Sequence, residues 1–379
     1  MDKMLVSTPL LKKTTFRTIH NNNFNALRLL AALLVLVSHS YTLLKRDDPL
    51  LHFNTNLSLG GFSVAVFFIL SGFLIYKSRV KNTIFHFFEN RILRLFPGLF
   101  VCLCISFFLV YPFFTKFSIQ EYFTNPDVWD SFGRSLFLLF ERFGFVIKGF
   151  FPDNFVPEIY NGSLWSLPLE FSMYCLLGAL IWKNSKKWLN FLLLSFLYII
   201  FQFGIPIYLL DPVYHPVTWV GNIVEATVIF KTLHLNDVVY FGSYFMAGSL
   251  IANILDKRKL PHYIGITALI LGVYLSVTSG MNNFQWQIPL LSLGVIYVGS
   301  LNWDFLTKKL AIIGDLSYGI YIYGFVVHQV IIFEAIKYHV QLRPVILFGA
   351  TILILIPIAY LSWRYIENPF LKAKTIKNS

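Results

Sequence analysis

Arg28 and His39 stand eleven residues apart in the first long apolar stretch, Phe24 to Leu44. On a helix that spacing is close to three turns, so both side chains share a face and lie roughly 16 Å apart along the axis. Ionisable groups in a bilayer are costly and point into a protein interior or a wet cavity. A second apolar stretch, opening at Ser163 as SLWSLPLE, carries Glu170 into the same setting. An imidazole can take a proton near neutral pH, and a buried carboxylate can orient it and stabilise its charged form. With a cytoplasmic N-terminus, His39 lies late in its helix and Glu170 early in one that starts outside, so topology alone predicts a shared depth in the outer half. A His–Glu hydrogen bond that only ties two helices together is the competing reading.

Arg91 and Arg94 lie three residues apart where the third stretch meets the cytoplasm. They share a helical face and form a cationic fork suited to phosphate, which Arg28 could extend; such arginines also serve as topology anchors or lipid contacts. Ser71 and Gly72 form a small pair that admits a neighbouring backbone or a thin ligand. Tyrosines recur between Gly314 and Gly324, and His328 is alone on an apolar helix, where satisfied structure is its expected role. Pro289 and Pro357 fall inside apolar stretches and are expected to kink them. No nucleophile elbow, phosphate-binding glycine loop or His-Glu-x-x-His zinc motif is present. Direct transfer from an activated donor, without a covalent enzyme intermediate and without metal, suits these residues.

The elements that must position them are membrane helices. Hydrophobic residues make up 56% of the 379 and charged residues 13%, against about 25% charged in an ordinary soluble domain. Mean hydropathy is +0.64. The fold class is all-α, a polytopic bundle with ten expected spans near 24–44, 57–76, 95–113, 165–182, 188–206, 238–254, 263–280, 285–300, 315–336 and 345–363. With the N-terminus in the cytoplasm, basic residues gather inside. Lys3, Lys12, Lys13 and Arg17 precede the first span, Lys183, Lys186 and Lys187 fall between spans, and Lys372, Lys374 and Lys377 follow the last. That asymmetry matches the positive-inside rule and places both termini in the cytoplasm. The net charge of +12 is thereby spent on orientation, which argues against a nucleic-acid partner.

The expected division is a basic tail over 1–23, a transmembrane domain over 24–370 and a second basic tail over 371–379. The first span has no small-residue cleavage site after it and reads as uncleaved. Two long outside loops run from Lys116 to Gly162 and from Ile207 to Asp237; within the first, 131–151 reads as an interfacial helix. Cys102, Cys104 and Cys175 all lie in apolar stretches and read as small core residues, without zinc-site or disulfide spacing.

In order along the chain, these motifs resemble the integral-membrane acyltransferase family 3. The similarity covers Asn25 to Phe370: the Arg28–His39 stretch, Phe67 to Leu74 (FFILSGFL), Arg91 to Pro97 (RILRLFP), the Ser163–Glu170 segment, the pair Ser317 and Tyr318, and Tyr365 to Phe370 (YIENPF). The resemblance implies transfer of an acyl group, usually acetyl from acetyl-CoA, to sugar hydroxyls of surface or exported glycans. It implies His39 as catalytic base, Glu170 as its partner, and Arg28, Arg91 and Arg94 in donor binding or site organisation; from the small Ser71–Gly72 pair, Ser71 is read as a further candidate donor contact. Many members carry a histidine where this chain has Gly324.

The expectation is therefore a multi-pass O-acetyltransferase of the bacterial inner membrane. Acetyl-CoA would be its cosubstrate, a surface polysaccharide (O-antigen, exopolysaccharide) or lipid-linked saccharide its acceptor, and membrane lipids its surroundings. A proton-coupled transporter or flippase using His39 and Glu170 as a relay is the alternative, weakened by the lack of an internal repeat. A glycan-binding assembly protein is a further competitor.

Overall fold

A computed structural model describes residues 23–51, 57–139, 145–203, 228–229, 233–255, 260–278, 284–301 and 314–377. Among the described residues six helices are long and apolar enough to cross a membrane: Phe24–Thr42, Leu59–Lys81, Ile84–Phe113, Asp237–Leu255, Ser317–Lys337 and Pro344–Lys372. Four shorter apolar helices, Ser166–Leu180, Lys187–Gln202, His262–Thr278 and Trp286–Ser300, occupy the other four segments where spans are expected.

We label the helices in chain order: α1 Phe24–Thr42, α2 Leu59–Lys81, α3 Ile84–Cys104, α4 Ile119–Thr124, α5 Pro126–Leu136, α6 Ser166–Leu180 and α7 Lys187–Phe203. There follow α8 Leu235–Leu255, α9 His262–Thr278, α10 Phe284–Ser300, α11 Ser317–Lys337, α12 Pro344–Ser362 and α13 Asn368–Lys377. A two-residue antiparallel ribbon, Val228–Ile229 with Leu233–His234, precedes α8. The N-terminal tail to residue 22, most of the 207–237 loop and the basic residues at 257–259 and 308–309 lie outside the described residues.

α2 is the most enclosed long helix, with 72% of its apolar window buried, whereas the last helical stretch has 28% and is peripheral. Ser58 caps α2, its hydroxyl accepting from Gly61 N at 3.0 Å. α2 crosses α8 with almost no side chain between the backbones. A Cβ added to Gly72 would stand 2.0 Å from the Phe245 carbonyl oxygen, and Ser249 Oγ donates to Gly72 O at 3.0 Å. Helices that approach this closely gain backbone packing and one interhelical hydrogen bond, the usual basis of association where both surroundings are apolar. The tight-packing reading of the Ser71–Gly72 pair thus holds for Gly72.

Several expectations need correction. The third helix begins at Ile84, well before 95, so Arg91 and Arg94 lie within it. Thr83 starts it, its hydroxyl accepting from His86 N. Among the described residues of 131–151, helix ends at Leu136: α5 spans Pro126–Leu136, started by Asn125 and by Pro126 at its first position, and bridges pair Thr115 with Phe150 and Val146 with Ile159. Helix α13 runs on to Lys377, within the expected C-terminal basic tail. Only Cys102 is a buried core cysteine; Cys104 is half-buried and Cys175 exposed. Pro289 and Pro357 do lie inside helices, as does Pro97.

Candidate active site

α1 and α2 run antiparallel and register each other. At one end a Cβ on Gly60 would meet Ser38 Oγ at 2.9 Å; at the other, the Phe24 and Phe73 rings are 5.3 Å apart. Counting along α2 from Gly60 brings Ser71 level with Leu27 and Arg28. The bundle therefore has an Arg28 end and a His39 end, roughly 16 Å apart.

At the His39 end the imidazole is 8% exposed. The Phe325 ring of α11 meets it edge-on, 5.2 Å between centroids at 86°. Its Nδ1 is buried with no hydrogen-bond partner, an arrangement that costs about 1–3 kcal/mol and calls for an explanation in a native fold. Neighbouring residues on α1 are tied firmly. Ser38 Oγ donates to Asp48 Oδ2 at 2.5 Å, and Asp48 Oδ1 accepts from Leu50 N and Leu59 N at 2.9 and 2.8 Å. That buried carboxylate joins the end of α1 to the start of α2. Ser40 Oγ meets His328 Nε2 at 2.8 Å, and His328 Nδ1 meets the Gly324 carbonyl at 2.9 Å. His328 is thus satisfied on both nitrogens, and Gly324 leaves room for Leu36, whose Cδ2 would lie 2.3 Å from an added Cβ.

The long loop before α6 is seated on this same face of α11. Asn154 Nδ2 donates to Gln329 O and Oε1, and Gln329 Nε2 returns bonds to Val156 O and Ile159 O, all between 2.8 and 3.0 Å. Deeper, Asn161 Nδ2 donates to Ile322 O at 2.8 Å and Ser166 Oγ meets the Tyr321 hydroxyl at 2.6 Å. The chain therefore enters the bundle before it turns helical. For that reason Glu170 does not share His39's depth. Ser71 Oγ donates to Glu170 Oε1 at 2.5 Å, which sets the carboxylate level with Arg28. No hydrogen bond or ion pair joins Glu170 to His39; Phe325 and His328 of α11 flank the imidazole instead.

At the Arg28 end the three arginines separate. Arg94 forms an ion pair with Asp315 and lies 5.7 Å from the Trp363 ring. Asp315 also accepts from Ser317 N at 3.2 Å and Ser317 Oγ at 2.5 Å, just before the first turn of α11. Burial pushes the Asp315 carboxyl up, but Arg94 beside it, with Arg28 and Ser317, outweighs this and holds it below the usual carboxylate range. Arg94 is thus occupied by the protein. Arg91 Nε is buried and unpaired, and Tyr174, Arg28, Arg94 and Glu170 all lie within its electrostatic reach. The Tyr174 hydroxyl donates to Glu170 Oε1. Tyr174 and Asp315 were missed from sequence. The signals were there in a tyrosine one turn after Glu170 on its face, and in an Asp two residues before the serine that opens α11. Among the described residues no group of three potential metal ligands occurs.

The acyltransferase domain family matches residues 21–364. An O-acetyl transferase of Shigella phage Sf6 is 30% identical over 368 residues, 95% of this chain and 99% of that protein. Nodulation protein 10 of Rhizobium leguminosarum bv. viciae is 32% identical over 177 residues, 44% of this chain and 47% of that protein. The acyltransferase MdmB of Streptomyces mycarofaciens is 28% identical over 166 residues, 42% of this chain and 38% of that protein. No solved structure matches. With its apolar helices and a match over most of its length, this chain belongs to the acyltransferase family and is an integral-membrane acyltransferase.

Proposed function

We propose that this enzyme moves acetyl from acetyl-CoA to a sugar hydroxyl of a bacterial surface polysaccharide, from a ten-span bundle in the inner membrane with both termini in the cytoplasm. The observation that carries the reading is a pair of centres three helical turns apart: Arg28 at the start of α1 beside Arg91 of α3, whose buried Nε has no partner among the described residues, and a buried, incompletely paired His39 near the end of α1. Full-length similarity to an O-acetyl transferase supports the acyl group and the oxygen acceptor.

In this reading the anionic part of CoA docks on Arg28 and Arg91 from the cytoplasm, and the pantetheine arm covers the roughly 16 Å to His39. The acceptor hydroxyl arrives from the other side, beneath the loop seated on α11. His39 takes the hydroxyl proton as the sugar oxygen attacks the thioester carbonyl. The C–O bond forms, the C–S bond breaks, and the imidazolium returns its proton to the departing thiolate. Arg94 organises the donor end through Asp315. Glu170 acts at the donor end as well.

Mass spectrometry of surface glycans from cells with wild-type protein, with His39→Ala and without the protein tests this. An acetyl-sized mass gain confined to wild type is the expected result. Near-normal acetylation by an expressed His39→Ala variant refutes the mechanism.

A further inference from the structure

Glu170 sits within electrostatic reach of Arg91 yet makes no ion pair with it, nor with Arg28. A carboxylate within electrostatic reach of a guanidinium whose buried Nε has no partner would pair with it unless something restrains it, because the direct charge-assisted pair is the stronger contact. The restraint is visible. Ser71 Oγ of α2, at 2.5 Å, and the Tyr174 hydroxyl both donate to the same oxygen, Oε1. Oε2 receives no hydrogen bond from the described residues. Tyr174 is 4% and Ser71 2% exposed, so both donors are fixed in the packed interior. Gly72, next to Ser71, locks that part of α2 against α8.

Resting on the acyl-CoA reading above, we propose that Tyr174 and Ser71 are positioning residues, a two-hydroxyl clasp that keeps the Glu170 carboxylate from capturing Arg91 and so reserves that guanidinium for the anionic end of the donor. Glu170 is the internal competitor of the donor, and the clasp sets how strongly it competes. Loss of one hydroxyl loosens the carboxylate, lets Oε1 or Oε2 pair with Arg91, and weakens anion binding. Removing the carboxylate's charge abolishes the competition, whether or not the clasp is intact.

The test uses the full chain in lipid nanodiscs, with CoA as titrant and isothermal calorimetry as readout. Tyr174→Phe is expected to bind CoA about tenfold more weakly, since a hydrogen bond to a charged group carries about 1.5–3 kcal/mol. Ser71→Ala is expected to shift affinity in the same direction, and it carries the test by itself if Tyr174→Phe does not fold. The double variant Tyr174→Phe with Glu170→Gln is expected to recover wild-type affinity or better, which a merely structural defect would not do. Wild-type affinity in both single variants overturns the clasp while leaving the CoA reading intact. A double variant as weak as Tyr174→Phe also overturns it. Failure of the wild-type protein to bind CoA removes the acyl-CoA reading itself, and the clasp with it.

Discussion

Replacing Asp315 with alanine leaves the Arg94 guanidinium in the interior without its counter-ion. The two side chains are 18% and 7% exposed, so the pair is largely desolvated. Removing one partner of a buried pair costs about 3–5 kcal/mol, mostly from the charge left behind. The partial exposure of Arg94 and the Trp363 ring, 5.7 Å away, reduce that charge's isolation and favour the lower figure. Asp315 also accepts the Ser317 amide at the start of α11, and losing that hydrogen bond adds about 1 kcal/mol. The sum for Asp315→Ala is about 4 kcal/mol. Arg94→Met with Asp315→Ala removes the orphaned charge and should cost clearly less than the two single changes added, a coupling of at least about 1.5 kcal/mol. Unfolding by SDS titration in mixed micelles, followed by tryptophan fluorescence, measures all four proteins. Because the Asp315 carboxyl is held below its ordinary value, the pair's contribution is present above that value and is lost as pH falls through the native one. Additivity within about 0.5 kcal/mol refutes the assignment of Arg94 to Asp315 and returns it to the free cations.

Arg91→Gln should raise the KM for acetyl-CoA by about tenfold while changing the acceptor KM little, in a radiolabelled transfer assay; an unchanged donor KM removes Arg91 from the site. Gly72→Val should abolish accumulation of folded protein, read by size-exclusion of a fluorescent fusion, because any Cβ there meets the Phe245 carbonyl. Asp48→Ala should destabilise by about 2–4 kcal/mol, since Ser38 Oγ and two backbone amides lose their acceptor; a change under 0.5 kcal/mol would exclude the clamp between α1 and α2. Cysteine introduced at Arg46 should react with a membrane-impermeant maleimide added to intact spheroplasts, and one at Lys183 only after lysis; the reverse pattern inverts the proposed topology.

The hydrophobic pattern placed the apolar helices well because burial in lipid leaves little freedom: among the described residues, six of the expected runs are helices long and apolar enough to cross a membrane, and the other four are shorter apolar helices. The Arg28–His39 spacing was legible for the same reason, since both sit on one unbroken helix whose rise is fixed. The depth of Glu170 was not. Its position depended on where α6 starts, and the chain runs into the bundle through Tyr160 and Asn161, both almost wholly buried, before the helix begins. Hydropathy cannot distinguish a helix that starts at the surface from one that starts partway down, because the polar groups that make the difference are satisfied by distant partners such as Ile322 O and Tyr321. The fate of Arg94 was hidden likewise. Its partner Asp315 lies far along the chain and carries no periodic signal.

The separation of the two centres constrains the chemistry more than either centre does. A base and its orienting carboxylate, had they been adjacent, would fit many reactions, proton-coupled transport among them. Here Arg28 and the imidazole are fixed apart by a single helix, so no rearrangement of loops can bring them together. A substrate using both must be long, anionic at one end and reactive at the other. An ion or a compact metabolite in transit meets neither requirement, whereas an acyl group carried on a phosphorylated arm meets both. That geometric demand, and not the mere presence of His39 and Glu170 in the membrane, is what favours acyl transfer over a proton relay. On the proposed reading, specificity for the donor would lie with Arg28, Arg91 and the clasped Glu170, about three helical turns from the reacting carbonyl.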